Sequence, residues 1–216
     1  MNILITGANR GIGYALLQEA LKRGHLVIAA TRKPEMIKID NNRVSVYFLD
    51  LLDKDSIEKF VETLSVEVDA LINNAGVLYK DSFENLEYDY FLNTFKVNTL
   101  GPLFLSQRLY KSGKLKSGGK IINISSILGS IALLGGTTSY SYSVSKAALN
   151  MVTKLLSSKL KDIKVISVHP GWVKTDMGGK EAPVMPEESA KGIMDIIENV
   201  EESGVFLDYT GKSLPW

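Results

Sequence analysis

A glycine-rich turn joins a short apolar segment to a helical pattern at the start of the chain. Residues 2–5 form a short apolar run that predicts a buried strand. The turn from Thr6 to Gly13 has the sequence Thr-Gly-Ala-Asn-Arg-Gly-Ile-Gly, and residues 14–21 have a helical pattern. Glycines allow backbone N–H groups to approach a phosphate, and a helix N-terminus adds partial positive charge. A strand, a glycine-rich turn and a helix in this order predict a nucleotide-binding unit.

The glycine spacing in this turn is Gly-x-x-x-Gly-x-Gly. It is a variant of the dinucleotide-binding fingerprint, whose standard form is Gly-x-Gly-x-x-Gly. No Gly-Lys-Ser/Thr follows, so the turn is not a Walker A loop. A glycine-rich turn without a ligand is the structural alternative, but a position at the first strand-to-helix turn favours nucleotide binding.

Strand and helix patterns alternate along the rest of the chain. The predicted strands are Asn2–Thr6, Leu26–Thr31, Val44–Phe48, Ala70–Asn73, Lys120–Ser125, Lys164–Val168 and Gly204–Leu207. The predicted helices lie near residues 12–23, 54–65, 86–112, 141–160 and 187–201, and residues 113–119 are expected to form a turn. This alternation indicates an α/β fold, namely a Rossmann-type, doubly wound, mainly parallel sheet of seven strands with helices on both faces. The length of 216 residues predicts one domain spanning residues 1–216.

Charge and residue usage limit the expected partners and location. Lys and Arg number 25 and Asp and Glu 24, a formal charge of +1, so no attraction to nucleic acid or to an anionic membrane is expected. The chain has no cysteine and only two, distant histidines, so no disulfide and no metal site is predicted. No apolar stretch approaches the roughly 20 residues that span a bilayer. Because the first strand starts at residue 2, no cleavable signal is expected, and the predicted location is the cytoplasm.

Tyr142 and Lys146 form the pair with the clearest chemical meaning. Positions four residues apart share one face of a helix, so the phenol and the ammonium are predicted to lie side by side. A free tyrosine titrates near pH ~10. A cation within about 4–6 Å favours the phenolate and lowers that pKa, which suits a proton donor working near neutral pH. A solvated helix face is the alternative. Tyr140 competes as the donor, but it lies six residues before Lys146 and off the shared face.

Further motifs follow one another in a fixed order. They are Thr6–Gly13, Asp50-Leu51, Asn73-Asn74-Ala75-Gly76, Asn98, Ser125-Ser126, Tyr142 with Lys146, and Pro170–Thr175. In this order they resemble the short-chain dehydrogenase/reductase family of the single-domain type, over nearly the whole chain. Within the family, the compact carbonyl-reductase-like and C-factor-like members are the most similar. Gly-Ala-Asn-Arg-Gly-Ile-Gly, Pro-Gly-Trp-Val-Lys-Thr-Asp-Met and the closing Gly-Lys-Ser-Leu-Pro-Trp are typical of that branch.

The resemblance implies that a dinucleotide binds at the carboxyl ends of the strands. The implied contacts are Gly7, Asn9, Arg10, Gly11, Ile12, Gly13, Thr31, Arg32, Asp50, Leu51, Asn74, Ala75, Gly76, Tyr142, Lys146, Pro170, Gly171, Val173 and Thr175. Asp50 would accept a hydrogen bond from the adenine amino group, with Leu51 against the ring. The alternative for Asp50 is an acid at a helix N-terminus, a role that Asp53 and Asp55 suit better. A purely structural turn is the alternative for the Asn74–Gly76 segment.

The residues around the end of the second predicted strand favour NADP(H) over NAD(H). An acidic residue there would hold the ribose 2′-OH of NAD and repel the 2′-phosphate of NADP. The chain instead has Ala-Ala-Thr-Arg-Lys from Ala29 to Lys33. Arg32 can reach a phosphate with its planar guanidinium, and Arg10 in the glycine turn is well placed to approach the same group. Arg32 and Lys33 as ordinary surface cations are the alternative.

The resemblance implies four catalytic residues. Ser126 would polarise a substrate carbonyl, and its place before Ile-Leu-Gly favours it over Ser125. Tyr142 would donate a proton to the developing alkoxide while Lys146 lowers the tyrosine pKa and binds the nicotinamide ribose. Asn98 would anchor a water that relays protons to Lys146, and it also suits a helix kink. Sixteen residues separate Ser126 from Tyr142, with the loop Ile131–Ser139 between them.

The predicted activity is NADPH-dependent transfer of hydride between NADP(H) and a small carbonyl or alcohol substrate. The alternative is an NADP(H)-binding regulatory or signalling protein with little or no turnover. The family resemblance also implies a homodimer or homotetramer, with the apolar segment Phe91–Leu109 as a candidate interface; the alternative for this segment is ordinary core. Trp172 lies either against the cofactor or in the substrate pocket. His25 and His169 are expected to be structural.

Overall fold

Seven short apolar runs form the strands of one sheet. The computed structural model of the protein describes residues 1–136 and 139–216. Its strands are β1 (Asn2–Thr6), β2 (Leu26–Thr31), β3 (Val44–Phe48), β4 (Val68–Asn73), β5 (Leu115–Ile124), β6 (Lys164–His169) and β7 (Val205–Asp208). All pairs are parallel, in the order β3-β2-β1-β4-β5-β6-β7. The prediction of a Rossmann-type, doubly wound sheet of seven strands is confirmed.

Helices cover both faces of this sheet. They are α1 (Gly11–Lys22), α2 (Lys54–Thr63), α3 (Tyr88–Phe95), α4 (Gly101–Lys111), α5 (Tyr140–Lys159) and α6 (Pro186–Asn199). On one face, Leu16 of α1 and Ile193 of α6 pack on the strands with Ile5 of β1. On the other face, Phe60 of α2 and Leu105 of α4 pack on the strands with Leu4 of β1. Successive strand residues point to opposite faces, so the continuous apolar strands fill both cores.

The predicted helix near residues 86–112 is found as an unbroken helical run over residues 88–111. A wide turn of π-helix at Lys96–Leu100 joins α3 to α4 within this run. Pro102 has no N–H to donate, and a proline ring in a helix clashes with the carbonyl four residues earlier. Asn98 occupies that earlier position, and its side chain bonds the backbone of Val77, 21 residues away. Gly101 directly follows this turn and packs closely on Leu51, because a Cβ at Gly101 would lie 2.7 Å from the Cβ of Leu51.

The predicted turn over residues 113–119 is only partly correct. Strand β5 begins at Leu115, where this residue pairs with Val68 of β4. The register then shifts, and pairing resumes between Lys120 and Ala70. Gly118, with a φ of 80°, lies in this irregular stretch. The strand therefore starts earlier than predicted. The apolar pattern did not indicate this start, because the residues before Lys120 are largely polar and exposed.

The strand order reverses beside β1. Residue Ile3 of β1 pairs with Val27 of β2 on one side and with Ala70 of β4 on the other. The chain therefore leaves β1 in one direction and returns to its opposite side with β4. Such a reversal opens a crevice at the carboxyl ends of the strands, where ligands bind in open α/β sheets.

In residues 1–136 and 139–216, no helix is long and apolar enough to cross a membrane.

Candidate active site

A cavity of about 830 Å³ opens at the carboxyl edge of the sheet, where the strand order reverses. Its walls include the glycine turn after β1, the ends of β2, β4, β5 and β6, and the first turn of α5. Every residue predicted to bind the cofactor lines this cavity, and so does Ser126. Asn98 is the predicted site residue that does not line it, since its side chain is fully buried behind the wall.

The glycine turn lies tightly against the end of β4. Gly7 and Gly11 have φ angles of 67° and 52°, a region that L side chains rarely adopt. A Cβ on Gly13 would lie 2.2 Å from the carbonyl oxygen of Gly7 and 2.5 Å from Nδ2 of Asn74. That Asn74 amide donates to the carbonyl oxygen of Thr6 at 2.8 Å. The turn can therefore adopt this shape only with glycine at these places.

The predicted binding residues of the turn also bond to β2. The Thr31 hydroxyl donates to Oδ1 of Asn9 at 2.9 Å, which joins the glycine turn to the end of this strand. Arg32, the next residue, is exposed at the rim of the cavity. Arg10 is also exposed at the rim, but its Nη1 is 2.6 Å from Oδ2 of Asp176. This ion pair uses Nη1 of Arg10, one of the three nitrogens of its guanidinium.

Asp50 and Leu51 form another wall of the cavity. Oδ1 of Asp50 accepts a hydrogen bond from the backbone N–H of Leu52 at 2.9 Å, a local turn that fixes the carboxylate. Leu51 is buried beside the start of α4. Asp53 is the residue that caps α2, because its side chain accepts from the N–H of Asp55. Asp50 is therefore not the helix cap that the sequence left open as an alternative.

Tyr142 and Lys146 lie side by side in the first turns of α5. The Nζ of Lys146 is 5.5 Å from the centre of the Tyr142 ring, and it donates to the carbonyl oxygen of Ile124 at 2.7 Å. Both side chains are buried in the wall of the cavity. Ser126 follows β5, lies within hydrogen-bond reach of Tyr142 and accepts from the N–H of Leu128. The three groups that the sequence singled out are therefore brought together.

The expected lowering of the tyrosine pKa is wrong. Burial raises the pKa of Tyr142 to about 12, although the hydrogen bond with Ser126 acts in the opposite direction. Burial lowers the pKa of Lys146 to about 7. Desolvation disfavours the charged form of each group, so it keeps the phenol protonated and removes part of the lysine charge. The sequence argument counted the neighbouring cation but not the removal of water from both groups.

Asn98 fixes the segment that follows β4. Its Oδ1 accepts from the N–H of Val77 at 2.9 Å and its Nδ2 donates to the carbonyl oxygen of Val77 at 2.9 Å. The same Nδ2 donates to the hydroxyl of Ser145, one residue before Lys146. The structure thus places Asn98 at the helix bend, as the sequence suggested, and in contact with α5.

The segment after β6 closes the cavity opposite the glycine turn. A Cβ on Gly11 would lie 3.2 Å from the Thr175 methyl group, so the two segments nearly touch. A backbone bridge between Val173 and Val184 holds the following loop. Trp172 lines the cavity and remains half exposed, and its Nε1 donates to the carbonyl oxygen of Gly178 at 2.7 Å. The indole thus lies at the open rim of the cavity.

Several lining residues were missed from the sequence. His169 lines the cavity, and its Nδ1 accepts from the N–H of Ile127 at 3.3 Å, beside Ser126. Burial lowers the pKa of His169, with the Asp208 carboxylate acting in the opposite direction. The position directly before a Pro-Gly motif was a signal that could have placed His169 at the site. Asp176 had no such signal, because its partner Arg10 is 166 residues away.

Comparison with known proteins identifies the family. The sequence model for short chain dehydrogenase matches residues 1–185. The chain belongs to the short-chain dehydrogenase family. Its carbonyl-reductase-like and C-signal-like relatives include C-signal of Myxococcus xanthus, 37% identical over 154 residues, which cover 69% of this chain and 93% of that protein.

Solved structures of short-chain dehydrogenases superimpose on the whole chain. The NADPH-bound carbonyl reductase from chicken fatty liver is 33% identical with a TM-score of 0.90, covering 100% of this chain and 98% of that one. The carbonyl reductase Sniffer of Drosophila melanogaster is 32% identical with a TM-score of 0.91, covering 100% and 99%. These relatives support the carbonyl-reductase-like branch that the sequence motifs indicated.

Replacing Gly13 by Ala should destabilise the dehydrogenase. The added methyl group would overlap the Gly7 carbonyl, so α1 has to move away from β1. We expect a loss of about 1–3 kcal/mol in the free energy of unfolding, measured by urea denaturation. Gly135→Ala is the matched control, because a Cβ there meets nothing within 4 Å. Equal stability of both variants would contradict the close approach of β1 and α1.

Replacing Lys146 by Met should flatten the dependence of stability on pH. The unfolded chain keeps the lysine proton up to a pKa of 10.5, whereas the folded protein keeps it only up to about 7. The wild type should therefore gain stability as pH rises from 7 to 10.5, on the order of a few kcal/mol. The variant lacks this gain. Urea denaturation of both proteins across this pH range, without nucleotide, measures the difference in slope.

Lys159→Met serves as the control for this measurement, since Lys159 is exposed on the same helix. The slope is the useful quantity, because loss of the hydrogen bond to Ile124 lowers the stability of the Lys146 variant at every pH. Parallel curves for the wild type and Lys146→Met would show that burial does not perturb this lysine.

Proposed function

We propose that this dehydrogenase is an NADPH-dependent reductase of small carbonyl compounds. The observation that carries the proposal is the grouping of Ser126, Tyr142 and Lys146 on one wall of the cavity that the glycine turn also lines. A cavity with a proton donor at one end and a phosphate-binding turn at the other suits a reaction in which a dinucleotide and a carbonyl compound meet.

The shape of the cavity suits a dinucleotide. Gly7 and Gly11 have positive φ angles and no side chains. The backbone of the turn is therefore accessible at the N-terminus of α1, where a pyrophosphate is favoured. Any other residue at these two positions would have a strained backbone, so glycine suits a phosphate-binding turn of this shape. By this proposal the turn holds the pyrophosphate, Asp50 and Leu51 hold the adenine end, and Lys146 and residues 170–175 hold the nicotinamide end.

We infer NADP(H) as the cofactor from the rim at the end of β2. Arg32 lines the cavity there, and the residues on either side of it are Thr31 and Lys33. A guanidinium suits a 2′-phosphate, whereas an acidic residue would repel it. The carbonyl reductase from chicken fatty liver holds NADPH, and a carbonyl reductase from Pseudomonas aeruginosa PAO1, 33% identical, was crystallised with NADP. Both support the same preference for this chain.

Ser126, Tyr142 and Lys146 have different roles in the proposed reduction. When bound, NADPH supplies a hydride for the carbonyl carbon. The hydroxyls of Ser126 and Tyr142 hold the carbonyl oxygen, and Tyr142 gives its proton to that oxygen as the C=O bond is reduced. With a pKa of about 12 the phenol is protonated at neutral pH, so Tyr142 carries the proton that it has to give. A protonated Lys146 beside the ring stabilises the phenolate that remains.

The lining of the cavity includes side chains that suit an apolar carbonyl compound. They are Val77, Leu78, Ile127, Leu128, Trp172 and Met177. Apolar walls with a few convergent hydroxyl groups are typical of small-molecule sites. We therefore propose small aldehydes, ketones or the corresponding alcohols as substrates, with no nucleic acid or membrane partner and with a cytoplasmic location.

A second candidate function is nucleotide-dependent regulation or signalling with little turnover. The similarity to C-signal of Myxococcus xanthus favours keeping this alternative. The complete set of Ser126, Tyr142 and Lys146 argues for turnover, because a protein that only binds a nucleotide does not need these groups. Tight binding of NADPH without any carbonyl reduction would favour the second function.

Assembly into a homodimer or homotetramer remains part of the proposal. Exposed apolar side chains lie on neighbouring helices, including Leu92 and Phe95 of α3, Phe104 of α4, and Val144 and Met151 of α5. This surface overlaps the segment Phe91–Leu109 that the sequence singled out. Its apolar character supports packing against a second copy.

The proposed reductase activity predicts a selective loss in Tyr142→Phe. The variant keeps the ring but loses the proton donor, so turnover should fall about 10²–10⁴-fold while NADPH binding is nearly unchanged. NADPH consumption with a panel of aldehydes, ketones and quinones measures turnover. Tyr140→Phe is the matched control, because Tyr140 lies on the same helix outside the cavity lining. Equal rates for the wild type and Tyr142→Phe would exclude Tyr142 as the donor.

The proposed cofactor preference predicts that Arg32→Asp reverses it. A carboxylate at this position repels a 2′-phosphate and can accept a hydrogen bond from a ribose 2′-OH, so NADH should become the better cofactor. The dissociation constants of NADPH and NADH, measured by fluorescence titration, report the change. Lys33→Asp is the control, since Lys33 is exposed next to Arg32 but does not line the cavity. Unchanged NADPH affinity in Arg32→Asp would rule out this role.

A further inference from the structure

A buried carboxylate holds the start of the helix that carries Tyr142. Asp81, in the loop after β4, is only 2% exposed. Its Oδ2 accepts a hydrogen bond from the backbone N–H of Ser141 at 3.0 Å. Ser141 is the second residue of α5 and directly precedes Tyr142. The first turn of a helix has N–H groups without intrahelical partners, and a carboxylate is well suited to bind one.

The contact is a helix cap supplied from a distant part of the chain. In α2, the same interaction comes from Asp53, which stands directly before the helix and accepts from Asp55. In α5 the acceptor lies 60 residues earlier in the sequence. A local cap stabilises only its own helix. A distant one also fixes the position of the helix start relative to the loop that carries the acceptor.

That loop is also fixed to the active site at its other end. Val77 lies in this loop before Asp81, and both its N–H and its carbonyl oxygen bond to the side chain of Asn98. Val77 and Leu78 line the cavity. Further along, the rings of Phe83 and Tyr140 approach to 6.4 Å between centres. The segment from Val77 to Asp81 thus joins the wall of the cavity to the first turn of α5.

The burial of Asp81 is costly, which argues against a role in stability alone. Oδ1 of Asp81 and Oγ of Ser141 are both buried, and neither has a hydrogen-bond partner among residues 1–136 and 139–216. A buried polar atom without a partner costs free energy, and a buried charge costs more. An apolar residue would fill the same space without this penalty, but it would not bind the N–H of Ser141.

We propose that Asp81 is a positioning residue for Tyr142. Its carboxylate holds the first turn of α5 in place, and this keeps the Tyr142 phenol beside the hydroxyl of Ser126. This inference rests on the proposed reductase function, in which that phenol donates the proton. Misplacement of a catalytic group by about 1 Å can cost on the order of 10²-fold in rate, so loss of the cap should affect turnover far more than cofactor binding.

The first test compares Asp81→Ala with Asp81→Asn. The alanine variant should lower kcat about 10- to 100-fold, with the KM for NADPH within twofold of the wild type. Asparagine can accept the same N–H hydrogen bond and caps helices about as well as aspartate, so Asp81→Asn should recover most of kcat. Asp89→Ala, an exposed acid at the start of α3, is the control. An equal loss of kcat in both Asp81 variants, or a parallel rise in the KM for NADPH, would overturn the proposal.

The second test asks whether Asp81 acts through Tyr142. In the Tyr142→Phe background the donor is absent, so adding Asp81→Ala should lower the residual rate less than about twofold, since coupled positions are non-additive. A merely structural role would lower the rate by the same factor in both backgrounds. Equal factors would therefore contradict the proposal even if Asp81→Ala is less stable than the wild type.

The third test does not depend on turnover. Amide hydrogen exchange in the protein without nucleotide should be at least tenfold faster at Ser141 and Tyr142 in Asp81→Ala, with the middle of α5 unchanged. If exchange in Asp81→Ala is unchanged and carbonyl reduction is normal, the positioning role of Asp81 is overturned but the reductase function is not. Faster exchange in a protein that reduces no carbonyl compound would keep the cap and reject the reductase function. Asp81→Asn should exchange like the wild type.

Discussion

The carbonyl oxygen of Gly7 occupies the space that any side chain at position 13 would need. This contact brings the N-terminus of α1 directly onto the end of β1. Asn74, after β4, then binds the same turn, because its N–H donates to the Thr6 hydroxyl and its side-chain amide donates to the Thr6 carbonyl oxygen. The cavity exists because these three segments meet without side chains between them. Its size, its position at the strand reversal and its phosphate-binding character all depend on this one close approach.

Burial determines the chemistry at the other end of the cavity. Removal of water acts on Tyr142 and Lys146 in opposite directions, because one is charged after losing a proton and the other before losing it. The result is a protonated phenol beside a lysine that is only partly charged near neutral pH. A nucleotide covering this wall would change the surroundings of both groups. Cofactor binding and protonation at this site are therefore expected to be linked.

Short apolar runs and local motifs predicted most of the fold and the residues that line the site. The seven strands and the pairing of Tyr142 with Lys146 depend on neighbours in sequence, so local patterns were sufficient. The sequence suggested a helix kink at Asn98 but not the contact of its side chain with Val77, because the two residues are 21 positions apart. The pKa values were missed because burial is a property of the folded protein. Thr137 and Thr138, in the predicted loop Ile131–Ser139, lie outside the described residues.

The pairing of β1 with β4 has a consequence for how the protein is made. Ile3 leaves the ribosome before its partner Ala70, which follows 67 residues later. During that interval β1 can pair only with β2, and the glycine turn lacks the support of Asn74. The wall that includes Thr175 is completed later still, because Thr175 follows Gly11 by 164 residues. A nascent chain would therefore acquire its nucleotide-binding capacity only after Thr175 has been synthesised, and nucleotide would then favour the last docking steps.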